Sequence, residues 1–343
     1  MLLDFNNLNI NNLSFHTDFG QKIIFFLKEW FSESDTVEVQ TSGSTGTPKI
    51  FEIEKRKMLN SAVMTCNFLG LKEGDKALIC LPVEYISGKM MVVRSIERKL
   101  KLVVAEPSLK PVEFLNEEID FCAMTPLQVE NSLDKLHLIK NLIIGGAAVS
   151  ESLKHKISGN LKLSPSNRIF ETYGMSETLS HIALKQIVPK PEDYFTIFEN
   201  VSISADDRGC LKILAPNLNA EALQTNDLVE IKGEKQFKFL GRIDNVINSG
   251  GAKIFPETLE ALVKKEIPNE AVFVGIKDES LGQKLILIIE GKESEDISAK
   301  ISGLPFEKSF HKPKEIIFME EIPRTPNGKV NRLELERKIN EYL

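Results

Sequence analysis

The sequence has few cysteines, no long apolar run and no excess of positive charge. Its four cysteines stand far apart in or near apolar stretches, so we expect reduced packing residues rather than a metal site or disulfides: Cys66, Cys80, Cys122 and Cys210. The start lacks the basic end and apolar stretch of a signal peptide, and no run of about 18 apolar residues follows. A net charge of -6 over 343 residues argues against nucleic acid or anionic membrane as a general partner. The expectation is a cytoplasmic enzyme without membrane insertion and of about two domains.

A Walker phosphate loop is also absent, because that loop has four residues between its glycines and then Gly-Lys-Ser/Thr opening a helix. In its place two glycines and several hydroxyl residues precede a lysine and a strand-like run: Thr41, Ser42, Gly43, Ser44, Thr45, Gly46, Thr47, Pro48 and Lys49. Glycine lets a backbone approach an anion closely, so that N–H groups, hydroxyls and an ammonium all reach phosphate oxygens. The segment therefore predicts a different device for ATP phosphates, with a flexible turn as the alternative.

Apolar runs alternate with segments of helical period, which predicts an α/β fold. A helix is expected over Lys55–Leu69, closed by Gly70, with further strands and helices up to about residue 170. Short alternating runs over 201–240 predict an antiparallel appendage, a second sheet or small barrel. The last roughly 100 residues have the size of a small α+β domain, with a boundary near Asp244.

Two later segments carry groups that suit a nucleotide. An apolar strand leads into Gly145, Gly146 and Ala147, a turn poor in side chains that could admit a flat base, although a simple strand-end turn explains it nearly as well. A strand at 168–170 then leads into an aromatic ring for stacking, hydroxyls for phosphate and a carboxylate for Mg²⁺: Thr172, Tyr173, Gly174, Ser176 and Glu177. A lone glutamate is otherwise an exposed surface charge.

Taken in order, these segments resemble the superfamily of acyl- and aryl-CoA synthetases, peptide-synthetase adenylation domains and firefly luciferase. Six motifs along nearly the whole chain carry the resemblance: the phosphate loop 41–49, the turn 145–147, the Tyr-Gly-x-Ser-Glu segment 171–178, Thr225-Asn226-Asp227, the hinge Gly241-Arg242-Ile243-Asp244 and the lysine motif 323–329. The resemblance implies an adenylating domain over 1–243, with mixed sheets, and a small mobile domain over 244–343. It also implies two half-reactions, in which a carboxylate and ATP give acyl-AMP and a thiol, usually coenzyme A, displaces AMP.

The resemblance implies roles for single residues. Lys329 would stabilise the charge that develops as the carboxylate meets the α-phosphate, with an exposed lysine as the alternative. Asp227 and Arg242 would hold the ribose, and Asp244 would be the hinge. Ser249, Gly250 and Gly251 resemble the segment that reaches the active site after rotation and admits the pantetheine arm, although they are otherwise a loop.

The sequence departs from the family pattern in ways that bear on the substrate. Forty residues precede Thr41, so a larger relative's N-terminal subdomain is expected to be largely missing; Tyr85 stands at the usual His position, and Asn226 replaces a glycine. This build is most similar to the short o-succinylbenzoate CoA ligases of menaquinone synthesis. Only one of that substrate's two carboxylates is activated, so the other needs a cation or hydroxyls. The candidates are Tyr85, Lys89, Arg94, Ser180 and His181, with a solvent-facing position for the two cations, and packing or helix capping for His181, as alternatives.

Other functions stay open from the sequence. Another small aryl- or acyl-CoA ligase shares every nucleotide motif, and an adenylating protein that loads a separate carrier protein shares them too. A nucleotide sensor without activity is disfavoured, because Lys49, Glu177, Asp227, Arg242 and Lys329 are all present. No residue marks an interface, so a homodimer also stays open.

Overall fold

The computed structural model describes residues 2–40, 50–324 and 330–342. The strands are β1 (Leu2–Asp4), β2 (Thr36–Gln40), β3 (Ile50–Glu54), β4 (Lys76–Ile79), β5 (Lys101–Val104), β6 (Ile119–Met124), β7 (Ile139–Ile144), β8 (Arg168–Gly174), β9 (His181–Val188), β10 (Phe195–Ile197), β11 (Ser202–Ala205), β12 (Cys210–Leu214), β13 (Leu223–Lys232), β14 (Gln236–Arg242), β15 (Ile247–Ser249), β16 (Ala252–Ile254), β17 (Ala271–Asp278), β18 (Gly282–Glu290) and β19 (Glu315–Met319). The helices are α1 (Asp18–Trp30), α2 (Lys55–Leu69), α3 (Ile86–Arg98), α4 (Pro126–Glu130), α5 (Glu151–Ser158), α6 (Pro256–Val263), α7 (Glu295–Ser302) and α8 (Arg332–Tyr342).

Twelve of the described strands form one mixed sheet, in the order β1-β5-β4-β6-β7-β8-β9-β10-β14-β13-β12-β11. The strands from β5 to β8 run parallel, and the rest pair antiparallel. Alternate residues of the parallel strands enter two separate cores: Ala77 and Ile79 face the core that contains α1, α2 and α3, while Leu78 faces the core that contains α5. Helices therefore cover both faces, as expected for parallel strands.

The α/β fold predicted from the sequence is confirmed, but one part of its topology is wrong. The strands over 201–240 were expected to form a second sheet or small barrel, and they instead extend the large sheet. The connection is β10, whose three residues pair with β9 on one side and β14 on the other. The three residues of β10 are too few to show an alternating pattern of apolar and polar residues. The sequence therefore predicted the strands over 201–240 from their own alternation, but it did not show which strand they pair with.

A second sheet begins at Ile247, after the last strand of the large sheet ends at Arg242. It comprises β16-β15-β18-β17, with β19 parallel to β18. One apolar core packs α6 and α7 against one side, and another packs Leu335 and Ile339 of α8 against the other. The division into two domains at Asp244, and the mobility of the second, stay predictions.

Other expectations from composition can be compared with the structure. All four cysteines are buried and free, which confirms their role as packing residues. Among the described residues no helix has the length and apolar character needed to cross a bilayer. The helix expected at Lys55–Leu69 has those bounds, and it ends at Gly70, whose φ of 69° is the left-handed conformation that glycine adopts readily.

Candidate active site

The strand β8 carries the predicted tyrosine into an aromatic cluster. The Tyr173 ring packs edge-on against Phe237 at 4.8 Å between centroids, and it lies 5.7 Å from the ring of Phe195. Its hydroxyl donates a hydrogen bond of 2.5 Å to Oδ2 of Asp227. Burial, together with the nearby Asp227 carboxylate, raises the pKa of Tyr173 well above its usual value. The phenol therefore stays protonated and acts as a fixed donor to Asp227.

Arg242, which was predicted for the same site, lies on the other side of the Asp227 carboxylate. Asp227 and Arg242 are directly opposite in the antiparallel pair of β13 and β14. Their Oδ1 and Nη1 atoms are 3.8 Å apart, and the Asp227 side chain is 14% exposed while that of Arg242 is 51% exposed. The structure thus brings together Tyr173, Asp227 and Arg242 from three strands. A carboxylate held in this way can accept hydrogen bonds from the two hydroxyls of a ribose.

The glycine-rich turn after β7 lies against the same strand. A Cβ on Gly145 would stand 2.7 Å from Oγ1 of Thr172, so only glycine fits there without a shift of that threonine. Gly146 has a φ of 83°, which also favours glycine, and both Gly146 and Ala147 are exposed. The turn therefore presents bare backbone beside β8, which suits the flat base predicted for it.

Ser176 and Glu177 follow β8 in a short 3-10 helix and are both exposed. The main-chain oxygen of Glu177 accepts a hydrogen bond from Nδ2 of Asn219, and no described residue forms an ion pair with its carboxylate. No group of three or more His, Cys, Asp or Glu side chains within the described ranges could hold a metal by itself. A single exposed carboxylate fits Mg²⁺, which is commonly bound by one or two carboxylates together with substrate phosphates and water.

Lys89 and Arg94, the two candidate cations on α3, are both buried, so the solvent-facing alternative is wrong for each. Lys89 points towards α1, where its Nζ lies 3.7 Å from Oε2 of Glu29 and 4.3 Å above the centre of the Phe26 ring. Burial lowers the pKa of Lys89, while the Glu29 carboxylate opposes that shift. Lys89 is therefore already paired with a carboxylate of α1.

Arg94 has a different environment on the same helix. Its side chain is 2% exposed, and burial lowers the pKa of Arg94 to about 10. Its Nη2 donates to Oγ of Ser180 at 3.1 Å, its Nη1 lies 3.8 Å from Sδ of Met91, and its Nε has no partner among the described residues. No carboxylate of the described chain pairs with it. Arg94 is thus a buried cation that lacks an anion.

Ser180 and His181 join Arg94 at the start of β9. Nδ1 of His181 lies 3.2 Å from Oγ of Ser180, and its Nε2 lies 3.1 Å from Oγ1 of Thr65 on α2. The imidazole packs edge-on against Phe198, which confirms the packing role left open for it. Burial and the charge of Arg94 lower the pKa of His181 well below its usual value. Thr65 was not predicted, since a threonine inside an amphipathic helix gives no signal for a contact 116 residues away.

Tyr85, placed where relatives have a histidine, is the residue just before α3, and it forms a parallel bridge with Gln40. The N–H of Gln40 donates to the main-chain oxygen of Glu84 at 3.2 Å. The phosphate-loop residues predicted over 41–49 lie outside the described residues. The two described positions that flank them, Gln40 and Ile50, are paired with each other in the β2–β3 ladder.

The hinge candidate Asp244 lies in a network of side chains. Its Oδ2 accepts from Nη2 of Arg242 at 2.8 Å, and both of its carboxylate oxygens lie 3.2 Å from Nδ2 of Asn226. The hydrogen bond from Arg242 lowers the pKa of Asp244. Asn226, which follows the family's motif except that it replaces a glycine, therefore connects the strand of Asp227 to the hinge candidate Asp244.

The remaining sites belong to the second sheet. Gly250 and Gly251 form the two-residue turn between β15 and β16, with φ values of 57° and 80°, and Ser249 before them is buried. The loop expected there is thus a tight hairpin, and its contact with coenzyme A stays a prediction. Lys329 lies outside the described residues, between Arg324 and Val330, which form an antiparallel bridge.

Comparison with known proteins gives a family and a set of relatives. A family model described as AMP-binding enzyme matches residues 28–199. A 2-succinylbenzoate–CoA ligase of Lactococcus lactis is 26% identical over 330 residues, which cover 89% of this chain and 71% of that protein. A ligase with the same description from Bacillus mycoides is 25% identical and covers 94% of this chain and 74% of that protein.

Solved structures show the same fold. An acyl-CoA synthetase (AMP-forming)/AMP-acid ligase II-like protein from Dyadobacter fermentans is 33% identical, with a TM-score of 0.66 and coverage of 96% of this chain and 97% of that one. The o-succinylbenzoate coenzyme A synthetase of Bacillus subtilis, solved with ATP and a magnesium ion, is 20% identical, with a TM-score of 0.70 and coverage of 88% and 69%.

Proposed function

Because the chain belongs to the family of AMP-binding enzymes, we propose that it is an ATP-dependent acid–thiol ligase whose acid is o-succinylbenzoate. In the first half-reaction a carboxylate oxygen attacks the α-phosphorus of ATP, and pyrophosphate leaves. In the second, the sulfur of coenzyme A attacks the acyl carbon, and the bond to the AMP oxygen breaks. The products are AMP and o-succinylbenzoyl-CoA, a thioester of menaquinone biosynthesis.

The unpaired guanidinium of Arg94 is the observation that carries the choice of acid. A buried charge is costly unless an opposite charge and hydrogen bonds compensate it, and Arg94 has a hydroxyl and a sulfur where an anion is needed. A dicarboxylate can supply that anion with one group and present the other to ATP. The relatives described as 2-succinylbenzoate–CoA ligases support the same acid.

The nucleotide roles follow from the site on β8, β13 and β14. Asp227 would accept hydrogen bonds from the ribose hydroxyls, and Arg242 would lie on the same ribose. The turn of Gly145, Gly146 and Ala147, together with Thr172, Tyr173 and Gly174 next to it on β8, would line one side of the adenine. With the nucleotide held in this way, the α-phosphate would lie near the segment that begins with Ser176.

The phosphates need positive charge around them. Glu177 would hold Mg²⁺, which offsets the charge of the phosphates when bound. The hydroxyls and N–H groups of Thr41, Ser42, Gly43, Ser44, Thr45 and Gly46, together with Lys49, would bind the β- and γ-phosphates. Lys329 would stabilise the developing charge at the α-phosphate. Ser249, Gly250 and Gly251 would admit the pantetheine arm after rotation at Asp244.

The test is acid-dependent release of pyrophosphate and AMP from Mg²⁺-ATP, with and without coenzyme A. The acids are o-succinylbenzoate, benzoate, phenylacetate and a medium-chain fatty acid. We expect strong turnover of o-succinylbenzoate that produces thioester only with coenzyme A. Preference for another acid would refute the choice of substrate and keep the ligase, while no release with any of them would refute the ligase.

A matched pair of variants on α3 tests the role of Arg94. Arg94→Met should raise the KM for o-succinylbenzoate about 10- to 100-fold, since a hydrogen bond to a charged group contributes about 1.5–3 kcal/mol, and it should leave the KM for benzoate within about twofold. Arg98→Met is the control, because Arg98 lies one turn further along the same helix and bonds to Asn67, Glu97 and Leu71. Equal effects of the two substitutions would contradict the assignment.

A further inference from the structure

Four side chains and one main-chain oxygen form a continuous hydrogen-bonded chain beneath the proposed acid site. It runs from Nη2 of Arg94 to Oγ of Ser180 (3.1 Å), on to Nδ1 of His181 (3.2 Å), and from Nε2 of that ring to Oγ1 of Thr65 (3.1 Å). It ends where the Thr65 hydroxyl meets the main-chain oxygen of Ser61, one turn earlier in α2, at 3.2 Å. Arg94, Thr65 and Ser61 are each at most 2% exposed.

The groups at the two ends of this hydrogen-bonded chain fix which atom donates and which accepts in every hydrogen bond along it. A guanidinium only donates and a carbonyl oxygen only accepts, so Ser180 accepts from Arg94 and the Thr65 hydroxyl donates its single proton to Ser61. Thr65 must then accept from Nε2 of His181, which requires a proton on that nitrogen. In a neutral imidazole Nδ1 is left as an acceptor for the Ser180 hydroxyl. Each of the two hydroxyls thus donates one hydrogen bond and accepts one, and no donor in the chain faces another donor.

The neutral state of the ring agrees with its surroundings. His181 is buried, it faces the Phe198 ring, and the charged group near it is Arg94, whose positive charge opposes a second one. A protonated ring would donate from Nδ1 to Ser180 and leave that hydroxyl with two donors pointing at it. The cluster therefore holds one positive charge, on Arg94.

We propose that Thr65 and His181 are positioning residues for the acid, which hold Ser180 so that its lone pair faces Arg94 and fixes the guanidinium that would bind the second carboxylate of the substrate. This inference rests on the proposed function for its ligand. Neither residue touches the reacting carboxylate. Their effect is therefore on the affinity for a dicarboxylate and not on the rate of the chemical step.

The first test determines the direction of these hydrogen bonds in the free protein. Nitrogen-15 spectra of histidine-labelled protein should show His181 as the neutral tautomer with the proton on Nε2 across about pH 5.5 to 8, whereas an unperturbed histidine titrates near 6.5. Thr65→Val, which removes the acceptor of that proton without changing the shape of the side chain, should shift the Nε2 resonance, which also assigns it. A proton on Nδ1, or titration within that range, overturns the inference whichever acid the enzyme activates.

The second test separates KM from kcat. Thr65→Val should raise the KM for o-succinylbenzoate about three- to tenfold, the range for one lost hydrogen bond, with kcat changed less than about twofold. Thr65→Ser keeps the hydroxyl and should restore KM to within about twofold of the wild type. Benzoate, which lacks the second carboxylate, should show no difference among the three proteins.

The outcomes distinguish this inference from the proposed function. If the wild type turns over o-succinylbenzoate and Thr65→Val has the same KM, the positioning role is wrong and the function stands. If the wild type prefers another acid, the choice of o-succinylbenzoate is wrong, and the same comparison is made with that acid. An unchanged KM for it would then overturn the positioning role as well.

Discussion

The hydrogen bond between Tyr173 and Asp227 offers a sharp test of the nucleotide site. Tyr173→Phe removes one oxygen and keeps the ring in its packing with Phe195 and Phe237. A hydrogen bond to a charged group contributes about 1.5–3 kcal/mol to stability. Arg242, at 3.8 Å, is too far away to replace the lost bond. We therefore expect the free energy of unfolding to fall by about 2 kcal/mol.

The same substitution should weaken ATP binding. Without its tyrosine, the Asp227 carboxylate is free to rotate away from the ribose, so part of the same free energy is lost from the complex. Since about 1.4 kcal/mol corresponds to a tenfold change in affinity, we expect the KM for ATP to rise roughly tenfold. Pyrophosphate release at saturating acid measures this KM, and denaturation by urea measures the stability.

A second tyrosine of the chain is the matched control. Tyr194 also donates to a carboxylate, that of Glu230, but this pair lies at the surface. Exposed pairs contribute about 0–1 kcal/mol, so Tyr194→Phe should lower the stability by less than about 1 kcal/mol and leave the KM for ATP unchanged. Equal losses of stability in the two variants, or an unchanged KM for ATP in Tyr173→Phe, would refute the reasoning.

The pH dependence of this effect has a definite sign. The raised pKa of Tyr173 keeps its phenol protonated in the folded state, while an unfolded tyrosine ionises near pH 10. The folded state thus binds more protons above that pH, so its stability falls as the pH rises further. Between about pH 6 and pH 9 the difference between the wild type and Tyr173→Phe should be constant.

Two further substitutions test the hinge side of the site. Lys329→Ala should slow adenylation by a factor of about 10² to 10³ while leaving thioester formation from added acyl-AMP within about threefold, measured by pyrophosphate release and by single turnover. A normal adenylation rate in this variant would exclude Lys329 from the first step. Asn226→Gly removes the two contacts of 3.2 Å with Asp244 and should change the ratio of the two half-reaction rates by about two- to tenfold, since each contact contributes about 0.5–1.5 kcal/mol. An unchanged ratio would mean that Asn226 has no influence on the hinge.

The sequence predicted helices and strands well where a regular apolar pattern extended over many residues. The helix Lys55–Leu69 has an apolar face that repeats over about four turns and a glycine at its end, and it has its expected bounds. The pairing of the later strands was not predictable in the same way. It depends on Phe195–Ile197, three residues whose role is set by the strands on either side of them.

The order of the motifs predicted that the proposed nucleotide-binding residues lie close together. The proposed acid site was predictable only in part. Tyr173, Asp227 and Arg242 belong to motifs that occur in sequence, and the structure brings them into contact. The burial of Arg94 and its bond to Ser180 depend on where α3 lies relative to Ser180, which no local pattern predicts. Thr65 adds a contact from a third element, α2, that has no motif at all.

Lys89 and Arg94 of α3 show why the proposed acid site should select by charge. Lys89 is paired with Glu29 and lies over the ring of Phe26, so it already has the opposite charge that a ligand would otherwise supply. Arg94 is held by hydroxyl and thioether groups, and its lowered pKa shows that burial disfavours its charge in the free protein. On the proposed function, a second carboxylate would recover that cost when it binds, and a monocarboxylic acid of similar shape would not. Discrimination between the two acids would therefore follow from the lack of an anionic partner for Arg94 among the described residues, even if the site accepted both acids by size.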